Sequence, residues 1–217
     1  MERKSQFIVI EGLDGSGKST ATQGLAEVLE TTYGKKVRRT FEPHDDSVGG
    51  QFIRQVLTKQ ITSFHPRVLP LSFAANRLDH CSRVIGPWLE NSAEHIILCD
   101  RYYLSSLVYQ SSADFDMEAV YQLNEKALRP DLILFFNVSD EICYQRMAKR
   151  NEPRELFEKN LAETREKYEA AKRFLIEKGE TIVDIDASGT PEDVVGKLVK
   201  EITGQFATFQ KTGQTPN

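Results

Sequence analysis

The stretch Gly12-Leu13-Asp14-Gly15-Ser16-Gly17-Lys18-Ser19-Thr20 combines glycines, a lysine and hydroxyl side chains at a spacing suited to holding phosphate. Glycines let successive backbone N–H groups turn inward around an anion, and a helix beginning at Lys18 adds the positive end of its dipole. The lysine of such a loop reaches the β- and γ-phosphates, and the hydroxyl after it, Ser19, can ligate Mg²⁺. The pattern G-x-x-x-x-G-K-[ST] carries this meaning only between a strand and a helix. The apolar run Phe7-Ile8-Val9-Ile10 supplies the strand. The segment therefore predicts binding of a nucleoside triphosphate together with Mg²⁺.

Three other segments bear on what is done with that nucleotide. Asp100-Arg101-Tyr102 follows the apolar run Ile96–Cys99, and residues just past strand C-termini line the ligand crevice of an open parallel sheet. There Asp100 can hold Mg²⁺ or its waters and Arg101 can grip a second phosphate, unless the two form a plain ion pair at the sheet edge. Phe73 and Arg77 are i, i+4 neighbours on one helix face. An aromatic to stack on a base beside an arginine to bond its edge makes a nucleobase pocket, the alternative being a core Phe beside a solvated Arg. Arg146, Lys149, Arg150 and Arg154 form a basic run interrupted by Pro153. A charge run is usually a solvated face, but a Pro-broken connection between helices also suits a closing lid, here at about 146–156.

These residues need a frame. Near-continuous apolar runs recur at 7–11, 37–41, 95–99, 131–137 and 181–186, as expected of strands buried on both faces. Helical patterns separate them at 18–33, 67–90, 139–150, 154–178 and 190–203. Ser139 and Thr190 read as N-caps, the latter followed by Pro191 at the first helical position. Alternation of this kind predicts an α/β fold, three layers with a five-stranded parallel sheet between helices, in the P-loop NTPase manner. Residues 1–203 read as one domain and the polar segment 204–217 as a flexible tail.

Composition narrows the partners. Lys and Arg number 28 against 32 Asp and Glu, a net charge of −4 over 217 residues, which argues against a general nucleic-acid binder. No apolar run approaches the ~18 residues of a membrane span. Met1-Glu2-Arg3-Lys4 leads straight into the first strand, so neither a signal peptide nor membrane attachment is expected. Cys81, Cys99 and Cys143 are far apart and form no C-x-x-C pair, which suggests a reducing compartment, the cytoplasm. The histidines, His44, His65, His80 and His95, show no metal-ligand spacing.

Taken together, the segments resemble the thymidylate kinases from Phe7 to about Ile202. The resemblance is carried by Ile10-Glu-Gly-Leu-Asp-Gly-Ser-Gly-Lys-Ser-Thr20, Thr40-Phe-Glu-Pro43, Phe73-Ala-Ala-Asn-Arg77, Asp100-Arg-Tyr-Tyr-Leu-Ser105, Tyr109-Gln110, Arg129-Pro-Asp-Leu132 and Ile185-Asp-Ala187. It implies transfer of a phosphoryl group from ATP to dTMP. It implies that Asp14 bonds the 3′-hydroxyl of the acceptor, that Phe73 stacks on thymine, and that Arg77 bonds the base edge. Arg101 would hold the acceptor phosphate, with Asp100 near the magnesium. Ser105 and Gln110 would face the base, Tyr109 would crowd the sugar 2′ position, and Glu42 would lie on the substrate side.

The chain departs from the usual pattern at Phe41-Glu42-Pro43-His44, where many members carry an arginine, leaving Arg54 or His44 as alternative acceptor-phosphate contacts. Asn137 and Val108 stand where the family usually has Asp and Ala. No arginine lies inside the phosphate loop, so the transition-state cation is expected in the lid, from Arg150 and Arg154, with Arg146 toward ATP. The resemblance also implies a homodimer built on the apolar face of 67–90. Two rival readings share the loop. In a deoxynucleoside kinase Glu42 would serve as general base toward a 5′-hydroxyl. A non-catalytic nucleotide-binding module would need none of the remaining charged residues.

Overall fold

The computed structural model describes residues 5–149, 160–207 and 209. Its sheet is parallel throughout, in the order β2-β3-β1-β4-β5. The strands are β1 (Gln6–Gly12), β2 (Lys36–Phe41), β3 (His95–Asp100), β4 (Leu132–Asn137) and β5 (Ile182–Asp186). Each coincides within a residue with an apolar run of the sequence. For the three inner strands the cause is burial on both faces: Phe7 to Ile10, Ile96 to Cys99 and Ile133 to Phe135 are wholly enclosed, whereas the edge strands β2 and β5 are mostly exposed or half-buried. Odd-numbered residues of β1 face one helix layer, where Phe7 meets Tyr102 edge-on and Glu11 meets Tyr168. The even-numbered residues therefore face the other layer.

Helix α1 (Lys18–Tyr33) starts at the loop and ends at Gly34 in a left-handed cap. It packs on α9 (Pro191–Gln205), which opens with the expected capping box of Thr190 and Asp193 and with Pro191 in its first turn. Helix α7 (Asp140–Ala148) begins at its predicted cap, Ser139, whose hydroxyl accepts from the Ile142 N–H. Helix α8 (Leu161–Glu177) packs on α5 (Tyr103–Gln110). Past the expected end of the domain, α9 runs on through Gln205, and Phe209 meets Tyr33 edge-on.

The long helix expected at 67–90 is divided. Helix α3 (Val68–His80) passes through a π-helical turn, Cys81–Ile85, into α4 (Gly86–Asn91). Pro87 offers no N–H and its ring crowds the turn before it, a strain that the wider turn relieves. Three short helices escaped the periodicity: α2 (Val48–Leu57), α5 and α6 (Met117–Leu123). Two of them begin at side-chain caps, Ser47 and Asp116. Helix α2 buries Ile53, Val56 and Leu57 against Leu69 and Phe73 of α3, a second apolar cluster beside the main core. That cluster forms one wall of the cavity described next.

Candidate active site

The phosphate loop spans the gap between β1 and α1. Gly15 and Gly17 adopt φ of 79° and 96°, left-handed values that strain any side chain. A Cβ at Gly15 would also lie 2.5 Å from the Cys143 carbonyl oxygen, because α7 packs directly on the loop. Arg146 of α7 pins the loop from outside, donating to Ser16 O at 2.9 Å and to Ala187 O at 3.2 Å. Leu13 anchors it in the core, and Thr20 is exposed in the first turn of α1. Lys18 turns back over the loop and donates to Gly12 O at 3.0 Å and Leu13 O at 2.9 Å. Burial, then the charge of Arg101, hold its pKa below the ordinary lysine value, against Asp100, Asp14 and Glu11.

Strand β1 lies between β3 and β4, so the ends of these strands open the crevice of the sheet just where the loop begins. Asp100 ends β3 there, and its Oδ2 accepts from the Ser19 hydroxyl at 3.1 Å. Its Oδ1 is buried and meets no hydrogen-bond partner among the described residues. Arg101 takes a left-handed φ of 67°, uncommon for a side-chain-bearing residue, and its N–H is tied to Ile10 O at 2.9 Å. The turn throws its guanidinium over the loop, where it pairs with Asp14 and donates to Ser105 Oγ at 3.1 Å and Tyr168 Oη at 2.9 Å. Burial works against its charge, yet Asp14 above all raises its pKa well above the ordinary arginine value.

Two residues that sequence reasoning passed over build this corner. Glu11, inside β1, accepts from the N–H groups of Tyr102 (2.8 Å) and Ser105 (3.1 Å) and from Ser105 Oγ (2.7 Å). Burial pushes its carboxyl up, against Arg101 and these donors. Tyr168 of α8 reaches Arg101, Ser105 and Glu11, the last of these from 157 residues further along the chain. A glutamate within an apolar strand was the available hint for Glu11, since a charge there must be compensated. Tyr168 gave none.

From this corner a cavity of about 1160 Å³ runs to a second end lined by Phe73, Arg77, Ser106, Tyr109 and Gln110. The solvated-arginine alternative does not hold, for Arg77 is only 1% exposed. Its Nε donates to Glu42 Oε2 at 2.6 Å, and its other nitrogens to Asn124 Oδ1 and, at 3.0 Å, to Ser106 Oγ. Tyr109 stands between the two ends, its ring 5.6 Å from the Arg101 guanidinium carbon and edge-on to Tyr168. Arg54 lines the cavity from α2, with Asp45 at 3.4 Å. His44 instead stacks on His80 at 4.3 Å. The structure thus brings together Lys18, Ser19, Asp100, Arg101, Asp14, Glu42, Phe73, Arg77, Ser105, Tyr109 and Gln110 around one space. Arg146 stands outside it on the loop, and Arg150 and Arg154 lie outside the described residues.

A family profile described as thymidylate kinase matches residues 10–198, nearly the whole chain. The chain belongs to the thymidylate kinase family. A probable thymidylate kinase of Methanosphaera stadtmanae is 35% identical over 211 residues, 94% of this chain and 99% of that relative. A thymidylate kinase of Caldicellulosiruptor saccharolyticus is 36% identical over 207 residues, covering 92% and 96%. One from an Exiguobacterium species is 35% identical over 197 residues, covering 89% and 92%. Family membership accounts for the parallel sheet with helices on both sides.

Proposed function

We infer that this chain is a nucleoside monophosphate kinase that moves the γ-phosphoryl of ATP onto the 5′-phosphate of dTMP, giving dTDP and ADP. The observation that carries the reading is the single cavity that joins the phosphate loop to the Phe73–Arg77 end, with Arg101 between them. A phosphate oxygen of dTMP attacks the γ-phosphorus, and the bond to the β,γ-bridging oxygen of ATP breaks. Such a transfer needs positioning and charge neutralisation more than covalent help from the protein. Gly12 to Thr20 cradle the donor phosphates, Lys18 neutralises the migrating group, and Arg101 holds the acceptor phosphate. Phe73 stacks on thymine, Arg77 bonds its edge with Ser105 and Gln110 nearby, Asp14 takes the 3′-hydroxyl, and Tyr109 fills the space of a 2′-hydroxyl.

The residues present fit Mg²⁺. Among the described residues no group of three or more His, Cys, Asp or Glu could form a full protein cage. Mg²⁺ bound with nucleotide asks for little more than one carboxylate and phosphate oxygens. The unpartnered Oδ1 of Asp100 and the Ser19 hydroxyl are the groups that would hold it. When bound, the ion spreads the charge of the transferring phosphates.

Arg54 is the better second grip on the acceptor phosphate, since it faces the cavity while His44 is spent on His80. The deoxynucleoside kinase reading loses its base: both oxygens of Glu42 are engaged, by Arg77 and by His80. Gly15 leaves no room for an arginine inside the loop, which favours cations placed elsewhere, Arg150 and Arg154 by their position between α7 and α8, with Arg146 beside the donor. Among the described residues no helix is long and apolar enough to cross a membrane. Val68, Leu71 and Leu78 of α3 are exposed, a face suited to a second copy in a homodimer. A coupled ADP-release assay over the nucleoside monophosphates and thymidine tests the reading. Preference for dTMP is expected, and turnover of thymidine with none of dTMP would overturn it.

A further inference from the structure

From the Phe73–Arg77 end of the cavity a chain of buried polar groups runs through Glu42 and His80 to Thr40. Glu42 gives one carboxylate oxygen, Oε2, to Arg77 Nε at 2.6 Å, and the other, Oε1, lies 3.1 Å from His80 Nδ1. His80 Nε2 is in turn 2.7 Å from Thr40 Oγ1, and the ring is wholly buried. The donors and acceptors close if the imidazole is neutral with its proton on Nδ1: Nδ1–H donates to Glu42 and the Thr40 hydroxyl donates to Nε2. On its open face the ring is covered by His44, stacked at 4.3 Å and 19°. The backbone of His44 is itself clamped by Asn76, which accepts from its N–H and donates to its carbonyl, both at 2.9 Å. His80 is thus a fixed strut, and the carboxylate it holds can point only one way.

That direction matters because of what Arg77 has left to offer. A guanidinium carries five N–H donors, and among the described residues Glu42, Asn124 and Ser106 accept from Arg77. Arg77 also lines the cavity, and the aim of its remaining donors is fixed by these contacts. Removing the strut from Glu42 frees the carboxylate to turn and the fork with it.

We propose that His80 is a positioning residue for thymine recognition, acting through Glu42 to aim Arg77 at the base edge. The proposal rests on the reading of Arg77 as the donor to that edge. It requires that His80 govern binding of the acceptor and leave the chemistry and the donor nucleotide alone. Interactions lost equally from ground and transition states raise KM without lowering kcat.

Two substitutions separate the contacts of the ring. In His80→Asn the amide nitrogen falls near the place of Nδ1 and can still donate to Glu42. In His80→Gln the amide falls near Nε2, keeping Thr40 and losing Glu42. Steady-state kinetics with dTMP and ATP varied in turn are expected to show KM for dTMP raised about 10- to 150-fold in His80→Gln, the worth of a bond to a charged group. The same variant should keep kcat and KM for ATP within about twofold, and His80→Asn should stay near wild type in all three. An unchanged KM for dTMP in His80→Gln, an equal rise in both variants, or a parallel loss of kcat overturns the proposal. Should His80→Gln fail to fold, Thr40→Val loosens the strut from its other end. A rise in KM for dTMP alone then supports the role and no rise overturns it. Wild-type protein inactive on dTMP would instead defeat the reading of function on which all this rests.

Discussion

Lys18 and Arg77 both look interchangeable with other cations in the sequence, yet their surroundings give their removal different consequences. Among the described residues Lys18 hydrogen-bonds loop carbonyls, so Lys18→Ala breaks no direct ion pair, although Asp100, Asp14 and Glu11 lose a nearby positive charge. Its turnover is expected to fall about 10³-fold, the loss of one preorganised charge at the migrating group, with KM for dTMP little changed. A kcat within tenfold of wild type would remove Lys18 from the mechanism. Arg77→Ala strands the buried Glu42 carboxylate, and loss of one partner of such a pair costs about 3–5 kcal/mol of stability. Its kinetics therefore have to be read beside a denaturation curve. Phe73→Ala strands no charge but also removes packing from the α2–α3 cluster, so it too is read beside a denaturation curve: KM for dTMP should rise roughly 5- to 150-fold, the value of stacking one base on one ring, with KM for ATP unmoved. Normal dTMP binding in this variant would place the base elsewhere.

Among the elements, the loop and α7 form one unit. Arg146 ties α7 to Ser16 O, and the Cys143 carbonyl stands where a side chain at residue 15 would begin. Gly15→Ala combines the wrong half of φ space with that close approach, so the loop has to shift or α7 has to move away. We expect a lower melting temperature and weaker ATP binding from this single methyl, measured by thermal denaturation with and without ATP. A native-like melting curve with unchanged nucleotide-induced stabilisation would show that the contact between α7 and the loop yields easily. Helix α2 shows a different kind of coupling. Its apolar side builds the wall that includes Phe73, and the same helix presents Arg54 to the cavity, so one short helix supplies both apolar and charged lining.

At the scale of the whole molecule, two properties depend on parts that the cavity does not contain. If lid arginines complete the transition state, alanine at Arg146, Arg150 and Arg154 in turn should lower kcat by about 10²-fold at the dominant position, with small changes in KM. We expect Arg150 and Arg154 to carry this effect. Arg146 should act more on stability and ATP binding, since it bonds the loop backbone and the carbonyls after β5. Near-native kcat at all three positions would place the cation on another segment. Assembly is the second property. Leu71 and Leu78 are 52% and 49% exposed on the same side of α3. If this face joins two copies, charging both, as in Leu71→Glu with Leu78→Glu, should convert the dimer to a monomer in sedimentation velocity, and an unchanged sedimentation coefficient would overturn that assignment.

The sequence alone determined the strands, the phosphate loop and the order of the chemical segments. Each is a local property: burial on both faces writes continuous apolar runs in β1, β3 and β4, β-branched and aromatic residues mark the edge strands, and a phosphate cradle needs glycines at fixed intervals. The caps at Ser139 and Thr190 were legible for the same reason, since a cap is satisfied within three residues of itself. The short helices α2, α5 and α6 were not, because little more than two turns leave too few periods to read, and Gly49-Gly50 disguises the start of α2. The partners of the site residues were decided only when the chain folded. Glu11 with Tyr168, Glu42 with Arg77 and His80, and Arg101 with Asp14 meet across 157, 35, 38 and 87 residues. Nothing in the local spacing of one partner specifies the other. They meet because parallel crossovers return every strand end to the same edge of the sheet, where buried charges must find one another.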